Sequence, residues 1–407
     1  MNKLSTESYK GVRDFYPADQ ALQDYIFDVW RRTCKNFGYQ EYNASLLEPS
    51  ELYKEKSGEE IVNEQTYSFI DRGEREVTLR PEMTPTVARM VAQRRRELSF
   101  PLRWFSLPNL FRYERPQRGR LREHWQLNCD IFGLNSIDAE VEMIKLASQI
   151  MLNFGAKSED FEIRINSRKL INEALQAAGL DEEKTHKFQK LLDKKNKIDN
   201  FEEEAEKIVG QKMGWKLGAD EELKNLLERL EKNGINNVKF DDTLVRGFDY
   251  YTGIVFEVFD TDPENSRSLF GGGRYDDLLS LFGDDKISAV GFGMGDVTIA
   301  DFLRTHHLLP KLNYSADLYL TAITSELNEV SDKIADVLRN DINVAVDYSD
   351  KKVGDKIKKA EKDGIKFVLI FGEDELKDWK FKVKNIQTGE EQFLSLEQIN
   401  GFILANK

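Results

Sequence analysis

The sequence predicts an α+β fold with an antiparallel sheet, a helical insertion, and a C-terminal α/β domain. Three observations support this: a helix precedes several hairpin-like segments, a long Lys/Glu/Leu-rich segment lacks any strand pattern, and strands alternate with helices after residue 310. At 407 residues the chain is longer than one hydrophobic core usually serves, so we expect two or three domains.

Composition excludes several classes of protein. A hydrophobic content of 40% and a charged content of 32% are typical of globular chains, no apolar run reaches the length of a membrane span, and the N-terminus lacks a secretory h-region. Two cysteines and four scattered histidines predict neither a disulfide framework nor a bound metal, so we expect a reduced cytoplasmic setting. The net charge of −13 argues against a general nucleic-acid coat but leaves room for a local basic site.

The first part of the chain reads as one helix followed by hairpins. Residues 19–37 have helical apolar spacing, and residues 66–80 read as two strands around the turn DRGE. Residues 84–96 predict a helix. Residues 102–113 predict a strand whose partner is 127–132. This order is typical of an α+β sheet rather than of βαβ units.

The rest of the chain changes character twice. Residues 167–236 predict helices, and strand patterns return at 244–260 and in two glycine-rich segments that each run into a helix. The alternating C-terminal part fits a compact domain of about one hundred residues. We therefore expect four segments: 1–166 and 239–309 as two parts of one domain, 167–238 as the insertion, and 314–407 as a separate domain.

The segment FRYERPQRGRLREHWQLNCDIFG, residues 111–133, contains five arginines between Arg112 and Arg122. Guanidinium groups bind phosphate oxygens in a bidentate way, and an arginine at a strand end beside arginines on a loop suits a polyphosphate. The alternative is a solvated, ion-paired hairpin. The cluster alone does not decide between them.

Polar residues nearby fit a zwitterionic ligand. Glu82 and Thr84 follow a predicted strand, while Gln126 and Asp130 lie four apart on another and so share one face. Carboxylates there would hold an ammonium group, with an arginine facing the ligand's carboxylate. The alternative is a polar pair on the wet face of a sheet.

The segment LVRGFDYYTGIVFEVF has polar groups inside an apolar run. Arg246, Asp249, Tyr250 and Tyr251 interrupt it, and a charged residue in such a position needs a partner or a function. A structural ion pair of Arg246 with a nearby acid is the simpler alternative.

Together these motifs resemble the histidyl-tRNA synthetases, which are class II aminoacyl-tRNA synthetases. YKGVRDFYP resembles the N-terminal signature, the arginine-rich segment resembles class II motif 2, and RGFDYYTG resembles the histidine-specific signature. GGGRYDDL and AVGFGMG resemble the glycine-rich approach to motif 3. The resemblance covers nearly the whole chain, and implies a class II catalytic domain and a C-terminal anticodon-binding domain.

The resemblance implies a role for each matching residue. Arg112 and Arg246 are implied as the catalytic arginines at the α-phosphate of ATP, and Gln117 as the residue facing the first base pair of the tRNA acceptor stem. The implied ATP-binding set is Arg112, Glu114, Arg120, Arg246, Gly291 and Gly293. The implied histidine-binding set is Glu82, Thr84, Gln126, Asp130, Tyr250, Tyr251 and Tyr275.

The implied reaction has two steps. The histidine carboxylate attacks the α-phosphorus of ATP, which is bound with Mg²⁺ as the substrate complex, and the 3′ end of tRNA(His) then accepts histidine. The protein contributes positioning and charge stabilisation. The resemblance also implies a homodimer with no membrane or DNA partner.

Two departures from the family pattern stand out. Many members end motif 3 with Gly-Leu-Glu-Arg, where this chain has Gly295-Asp296-Val297-Thr298. Either Arg118 or Arg120 compensates for the missing arginine, or ATP binding is weaker. Asp130 stands where many bacterial members have Glu.

Other functions remain as alternatives. A non-catalytic regulatory subunit of histidine biosynthesis would share the fold, and the missing motif 3 arginine favours it, but the anticodon-binding part and the intact motif 2 disfavour it. A pure tRNA-binding module would not need the amino-acid pocket. A synthetase for threonine, proline or glycine would lack RGFDYYTG. The seven lysines of residues 351–366 fit either a solvated helix face or a phosphate contact.

Overall fold

The computed structural model describes residues 4–54, 65–192, 195, 198, 200–210, 215–265, 267–283, 286–312 and 316–406. The chain divides into two compact units, Met1–Pro310 and Lys311–Lys407. In the described part, no helix is both long enough and apolar enough to cross a membrane. Residue 314, the expected start of the last domain, lies outside the described residues.

The first unit is built on a large sheet and a small one. Its strands are β1 (Gln40–Glu41), β2 (Leu47–Pro49), β3 (Tyr67–Ile70), β4 (Glu76–Leu79), β5 (Leu102–Ser106), β6 (Asn109–Phe111), β7 (Glu123–Phe132), β8 (Phe161–Ser167), β9 (Val238–Phe240), β10 (Ile254–Asp260), β11 (Ser268–Arg274) and β12 (Ala289–Gly295). Within the described residues the large sheet has the order β1-β5-β7-β12-β11-β10-β8-β9, with β6 also paired to β7. The small sheet has the order β2-β4-β3.

The centre of the large sheet is antiparallel, as the sequence predicts. The six strands from β5 to β8 in this order pair antiparallel to their neighbours, and β1 and β9 add short parallel edges. The α+β fold with an antiparallel sheet is therefore confirmed.

Helices cover one face of this sheet and make up most of the segment 167–236. They are α1 (Pro17–Asn36), α2 (Glu51–Lys54), α3 (Thr84–Arg94), α4 (Asp138–Asn153), α5 (Arg168–Ala177), α6 (Glu182–Leu192), α7 (Phe201–Val209), α8 (Glu221–Lys232) and α9 (Asp296–Thr305). The apolar sides of α1, α4 and α9 pack on the sheet around fully buried Trp30, Ile144 and Phe302. Cys34 and Cys129 are buried in this core as free thiols.

Two predicted strands differ in the structure. Residues 102–113 form β5 and β6 rather than one strand, because Pro108 lies between them and cannot donate to a ladder. Residues 244–253 are irregular rather than extended, and the ladder between β10 and β8 begins only at Ile254 opposite Ser167. This departure from the sheet brings the side chains of Arg246 and Tyr250 into the site described below.

The second unit is the predicted α/β domain with an additional hairpin. It contains β13 (Leu318–Ala322), α10 (Asn328–Leu338), β14 (Val344–Val346), α11 (Val353–Lys362), β15 (Phe367–Phe371), α12 (Glu373–Asp378), β16 (Lys380–Asn385), β17 (Glu391–Ser395) and α13 (Leu396–Ala405). The sheet order is β14-β13-β15-β16-β17. The first three strands are parallel, and β16 and β17 extend them as an antiparallel hairpin that the alternating pattern does not predict.

One lysine of the basic run on α11 has an internal role. The ammonium group of Lys356 is buried and donates hydrogen bonds to Oγ1 of Thr321 at 2.9 Å and to the carbonyl of Ala322 at 3.1 Å. Lys356 therefore anchors α11 to β13 and does not belong to a solvated face.

Candidate active site

Two cavities meet on the exposed face of the large sheet. The outer cavity has a volume of about 860 Å³ and the inner cavity about 40 Å³. Both are lined by Arg112, Gln126, Arg246, Phe248 and Gly293. A ligand bound across both would therefore contact the two arginines at its middle.

The inner cavity brings together the residues that sequence analysis assigned to histidine. Its lining residues come from motif 2 with β7, from the start of α3, from the segment before β10, and from β11 and β12. The predicted residues lining it are Glu82, Thr84, Gln126, Asp130, Tyr250, Tyr251 and Tyr275.

Glu82 and Tyr250 form one wall of the inner cavity. The hydroxyl of Tyr250 donates to Oε2 of Glu82 at 3.1 Å and lies 3.5 Å from Oγ1 of Thr84. Glu82 is only 2% exposed. Burial and the nearby Glu82 carboxylate raise the pKa of Tyr250 well above its ordinary value, so the phenol remains a donor at neutral pH.

Asp130 and Tyr275 form a second polar pair of the inner cavity, and the ring centroid of Tyr275 lies 5.7 Å from that of Tyr250. The hydroxyl of Tyr275 donates a hydrogen bond to Oδ1 of Asp130, which is 4% exposed. Burial raises the pKa of Asp130 to about 7, although the hydrogen bond from Tyr275 lowers it. This carboxyl therefore titrates near neutral pH, as is common for groups in functional sites.

Three glycines of β11 and β12 leave space for these side chains. A Cβ atom at Gly291 would lie 2.1 Å from Oδ1 of Asp130, and one at Gly271 would lie 2.1 Å from Nη1 of Arg246. A Cβ atom at Gly293 would lie 2.8 Å from the amide of Gln126. The glycine run therefore accommodates the polar side chains that face the cavity, a reason that sequence analysis did not give.

Arg112 is held at the end of the β6 segment. Its Nε donates to the carbonyl of Pro81 at 2.8 Å, and its guanidinium lies 5.7 Å from the ring centroid of Phe248. One hydrogen-bonding edge is thus engaged by the backbone, while the residue lines both cavities. Such anchoring fixes the direction of a bidentate donor.

Arg246 forms an ion pair with a nearby acid, which is the simpler alternative that the sequence left open. Nη1 of Arg246 lies 3.1 Å from Oε1 of Glu257, and the guanidinium lies 5.8 Å from the ring centroid of Tyr251. Burial acts to lower the pKa of Arg246, but Tyr251 and Glu257 outweigh it and the pKa is raised. The ion pair does not remove Arg246 from the cavities, because it lines both.

The motif 2 loop contributes unevenly to the outer cavity. Glu114 and Arg120 line it and lie 3.8 Å apart. Arg118 turns away, with Nε 2.8 Å from Oδ2 of Asp301. Gln117 bridges to Arg120 across the loop and lines neither cavity.

At the altered motif 3, Asp296 is 3% exposed and is bound by Arg13 from the N-terminal signature at 2.7 Å. The backbone N–H of Trp125 donates to the same carboxylate at 3.0 Å. Thr298, which stands where the family arginine would be, lines the outer cavity. Of the two loop arginines considered as replacements, only Arg120 lies at that cavity.

Sequence analysis missed several residues of the site. Asn128 lines the inner cavity, and its position between Gln126 and Asp130 at a spacing of two could have identified it. Phe248 lines both cavities, while Arg168 and Glu257 line the outer one without a distinctive local pattern. His124 also lines the outer cavity, where burial and the charges of Arg112 and Arg13 lower its pKa to about 3 and keep it neutral.

Comparisons with known proteins agree with this geometry. The profile of the histidyl-tRNA synthetase family matches residues 11–213 and 200–297, and that of the anticodon-binding domain matches residues 317–406. The chain is 43% identical over 401 residues to the histidine–tRNA ligase of Leptospira biflexa, covering 92% of each chain. It is 38% identical to that of Opitutus terrae, covering 98% of each.

Solved structures share the fold. Histidyl-tRNA synthetase from a Nostoc species superposes with a TM-score of 0.83, at 22% identity and full coverage of both chains. A Bacillus halodurans protein described as an ATP phosphoribosyltransferase regulatory subunit/histidyl-tRNA synthetase gives 0.71, at 23% identity, with 91% of this chain and all of that one covered. These structural likenesses show the fold alone, whereas the sequence profile and the identity to the curated ligases show the family. The chain belongs to the histidyl-tRNA synthetase family.

Proposed function

We propose that the inner cavity holds L-histidine, that the outer cavity holds ATP, and that Arg112 and Arg246 join them at the reacting atoms. The chain is an aminoacyl-tRNA synthetase and acts as a histidine–tRNA ligase, in agreement with its family and its full-length relatives. The observation that carries the proposal is that both arginines line both cavities.

Charge explains why the reaction would occur at this junction. The histidine carboxylate attacks the α-phosphorus, and negative charge accumulates on the phosphoryl oxygens as pyrophosphate leaves. Arg112, anchored on the Pro81 carbonyl, and Arg246, anchored on Glu257, are pre-oriented donors for that charge. Pre-oriented donors stabilise a transition state without reorganising.

Selection of histidine follows from the polar walls of the inner cavity. Glu82, with Tyr250 and Thr84, is suited to the α-ammonium group, and Asp130, with Tyr275, is suited to an imidazole N–H. An apolar amino acid of similar size would bury these groups without offering either carboxyl a hydrogen bond from the ligand. Sites of this kind discriminate strongly.

ATP is proposed to enter as its Mg²⁺ complex. Arg120, Glu114, Gly291 and Gly293 are the remaining ATP-binding residues of this proposal. The carboxylates of Glu114 and Glu257 are oxygen ligands of the type that Mg²⁺ prefers, and both line the outer cavity. The ion would neutralise part of the phosphate charge, while the arginines orient the α-phosphate.

The tRNA is proposed to bind with its acceptor end at the motif 2 loop and its anticodon on the second unit. Gln117 remains the candidate for the first acceptor base pair, since it sits on the exposed loop tip. The proposal keeps the division into 1–166, 167–238, 239–309 and 314–407. A homodimer and a cytoplasmic location, where tRNA is charged, complete it.

The regulatory alternative keeps one supporting observation, the missing motif 3 arginine. Aminoacylation distinguishes the two functions. The full-length protein is incubated with ATP, Mg²⁺, labelled histidine and tRNA(His), and acid-precipitable label is counted. Charged tRNA(His) supports the ligase. If a folded protein binds histidine yet charges no tRNA, the regulatory alternative replaces it.

A further inference from the structure

Arg168 is a buried arginine at the outer cavity that the proposed reaction does not use. It is the first residue of α5, is 7% exposed, and lines the cavity. Its Nε atom is buried and lacks a hydrogen-bond partner in the part of the chain that the structure describes. Its guanidinium forms no ion pair with those residues either.

Such an arrangement is costly without a ligand. A buried guanidinium loses its hydration, and burial lowers the pKa of Arg168 while the nearby Asp249 carboxylate and Tyr251 raise it. Asp249 forms no ion pair with Arg168 within 4.0 Å, and its Oδ1 lies 3.7 Å from Nδ1 of His186. A buried Nε without a partner among the described residues, at the wall of a cavity, calls for an explanation, and a bound ligand supplies one.

The surroundings identify an anion as the ligand. Arg168 and Arg246 line the same cavity, and the guanidinium of Arg246 lies 5.8 Å from the ring centroid of Tyr251. His186, Gln189 and Lys190 of α6 line the same cavity. The lining of the whole cavity holds five Arg or Lys side chains against three carboxylates, so it carries an excess of positive charge in a protein with a net charge of −13. The fork of Arg168 suits a phosphate group in particular.

We propose that Arg168 is a phosphate-binding residue of the outer cavity, and that its ligand is a phosphate of ATP or of the 3′-terminal nucleotides of tRNA. The inference rests on the proposed function for the identity of those ligands. It assigns a direct role in ligand binding to the segment 167–238, at its second residue.

Arg168→Met tests the inference, because methionine keeps much of the apolar stem and removes the fork. The matched control is Lys169→Met, which removes the same charge from the next, exposed residue of the helix. The KM for ATP is measured by ATP–pyrophosphate exchange, and the Kd for tRNA(His) by fluorescence anisotropy. We expect Arg168→Met to weaken one of them by roughly ten-fold or more, and Lys169→Met to change neither beyond two-fold.

The two assays identify the source of the phosphate. If Arg168→Met raises the KM for ATP and leaves the Kd for tRNA unchanged, Arg168 binds a phosphate of ATP. If it raises only the Kd for tRNA, Arg168 binds a phosphate of tRNA. If both rise, the two ligands share the subsite. Changes below two-fold in both assays overturn the inference. If wild-type protein shows no exchange, the proposed function fails, while the tRNA titration and an inorganic pyrophosphate titration still test Arg168.

Stability separates ligand binding from a structural role. Removing an unpaired buried charge should leave the melting temperature of the ligand-free protein unchanged or higher. If Arg168→Met melts several degrees lower or fails to fold, Arg168 supports the structure and the inference is wrong. Arg168→Lys keeps the charge without the fork and should recover only part of the binding.

Discussion

Nη1 of Arg246 lies 3.1 Å from Oε1 of Glu257, so the proposed catalytic arginine is held by a carboxylate from the neighbouring strand β10. The pair is largely buried, with side-chain exposures of 14% and 22%. The same arginine lines both cavities, and only the absence of a Cβ atom at Gly271 gives its guanidinium room. The fold thus fixes a positive charge where the proposal requires it.

Replacing Arg246 should stop catalysis and also lower stability, because Glu257 loses its cation. We expect Arg246→Ala to lower histidine-dependent ATP–pyrophosphate exchange by about a hundred-fold to a thousand-fold, since one pre-oriented donor is lost. Arg31→Ala, which breaks a surface ion pair with Glu41, is the control and should keep full activity. Normal exchange by a folded Arg246→Ala protein would remove Arg246 from the mechanism.

Asp130 should make stability depend on pH. Its pKa is about 7 in the folded chain and 3.8 for an ordinary aspartate, so between these values the folded chain holds a proton that the unfolded chain has released. The stability contribution is therefore present at low pH and is lost as pH rises through about 7. Unfolding midpoints of wild type should fall from pH 5 to pH 8 relative to Asp130→Asn, and parallel curves would contradict the assignment.

Tyr275 should act on histidine through Asp130. Its hydrogen bond lowers the pKa of Asp130, so Tyr275→Phe should raise that pKa further and leave less carboxylate at pH 7. We expect the KM for histidine in the exchange assay to rise several-fold at pH 7 and to recover by pH 8.5. A KM increase of equal size at both pH values would mean that Tyr275 only shapes the cavity.

Gly291→Ala should disable the histidine site by displacing Asp130. The new Cβ atom would lie 2.1 Å from Oδ1 of Asp130 and 2.7 Å from the carbonyl oxygen of Cys129. We expect a loss of stability of about 1–3 kcal/mol and a strongly raised KM for histidine. Gly218→Ala is the matched control, because nothing lies within 4 Å of its Cβ position. Equal behaviour of the two variants would refute this packing argument.

Arg13 and Asp296 should be coupled. Burial raises the pKa of Asp296 while Arg13 lowers it, so Arg13→Ala leaves a buried carboxylate without its cation and should cost about 3 kcal/mol at neutral pH. Replacing Asp296 with the leucine common in the family should recover most of this loss in the double variant. Additive effects in a double-mutant cycle of urea unfolding would show that the pair is not coupled.

The sequence predicted part of the site, through strand periodicity and through motifs shared with a family. Gln126 and Asp130 share a face because strand side chains alternate. The structure brings them to one cavity with Glu82, which lies more than forty residues earlier in the chain. That grouping of distant segments came from the family resemblance, since local patterns carry no information on which strands become neighbours.

Other features depend on tertiary contacts and could not be predicted. The apolar residues around Arg246 suggested a strand over 244–260, but the first part of that segment leaves the sheet. The contact of Arg13 with Asp296 joins residues 283 apart in the chain. Arg168 follows a strand as one arginine among many, and what distinguishes it is burial at a cavity with no ion pair to the residues that the structure describes.

The central claim is that the inner cavity selects histidine and passes its carboxylate to the α-phosphate of ATP. ATP–pyrophosphate exchange with each of the twenty amino acids in turn tests it most directly. We predict exchange with histidine alone, which would also show that the arginine missing from motif 3 is dispensable. Exchange with another amino acid, or none from a protein shown to be folded, would contradict the account.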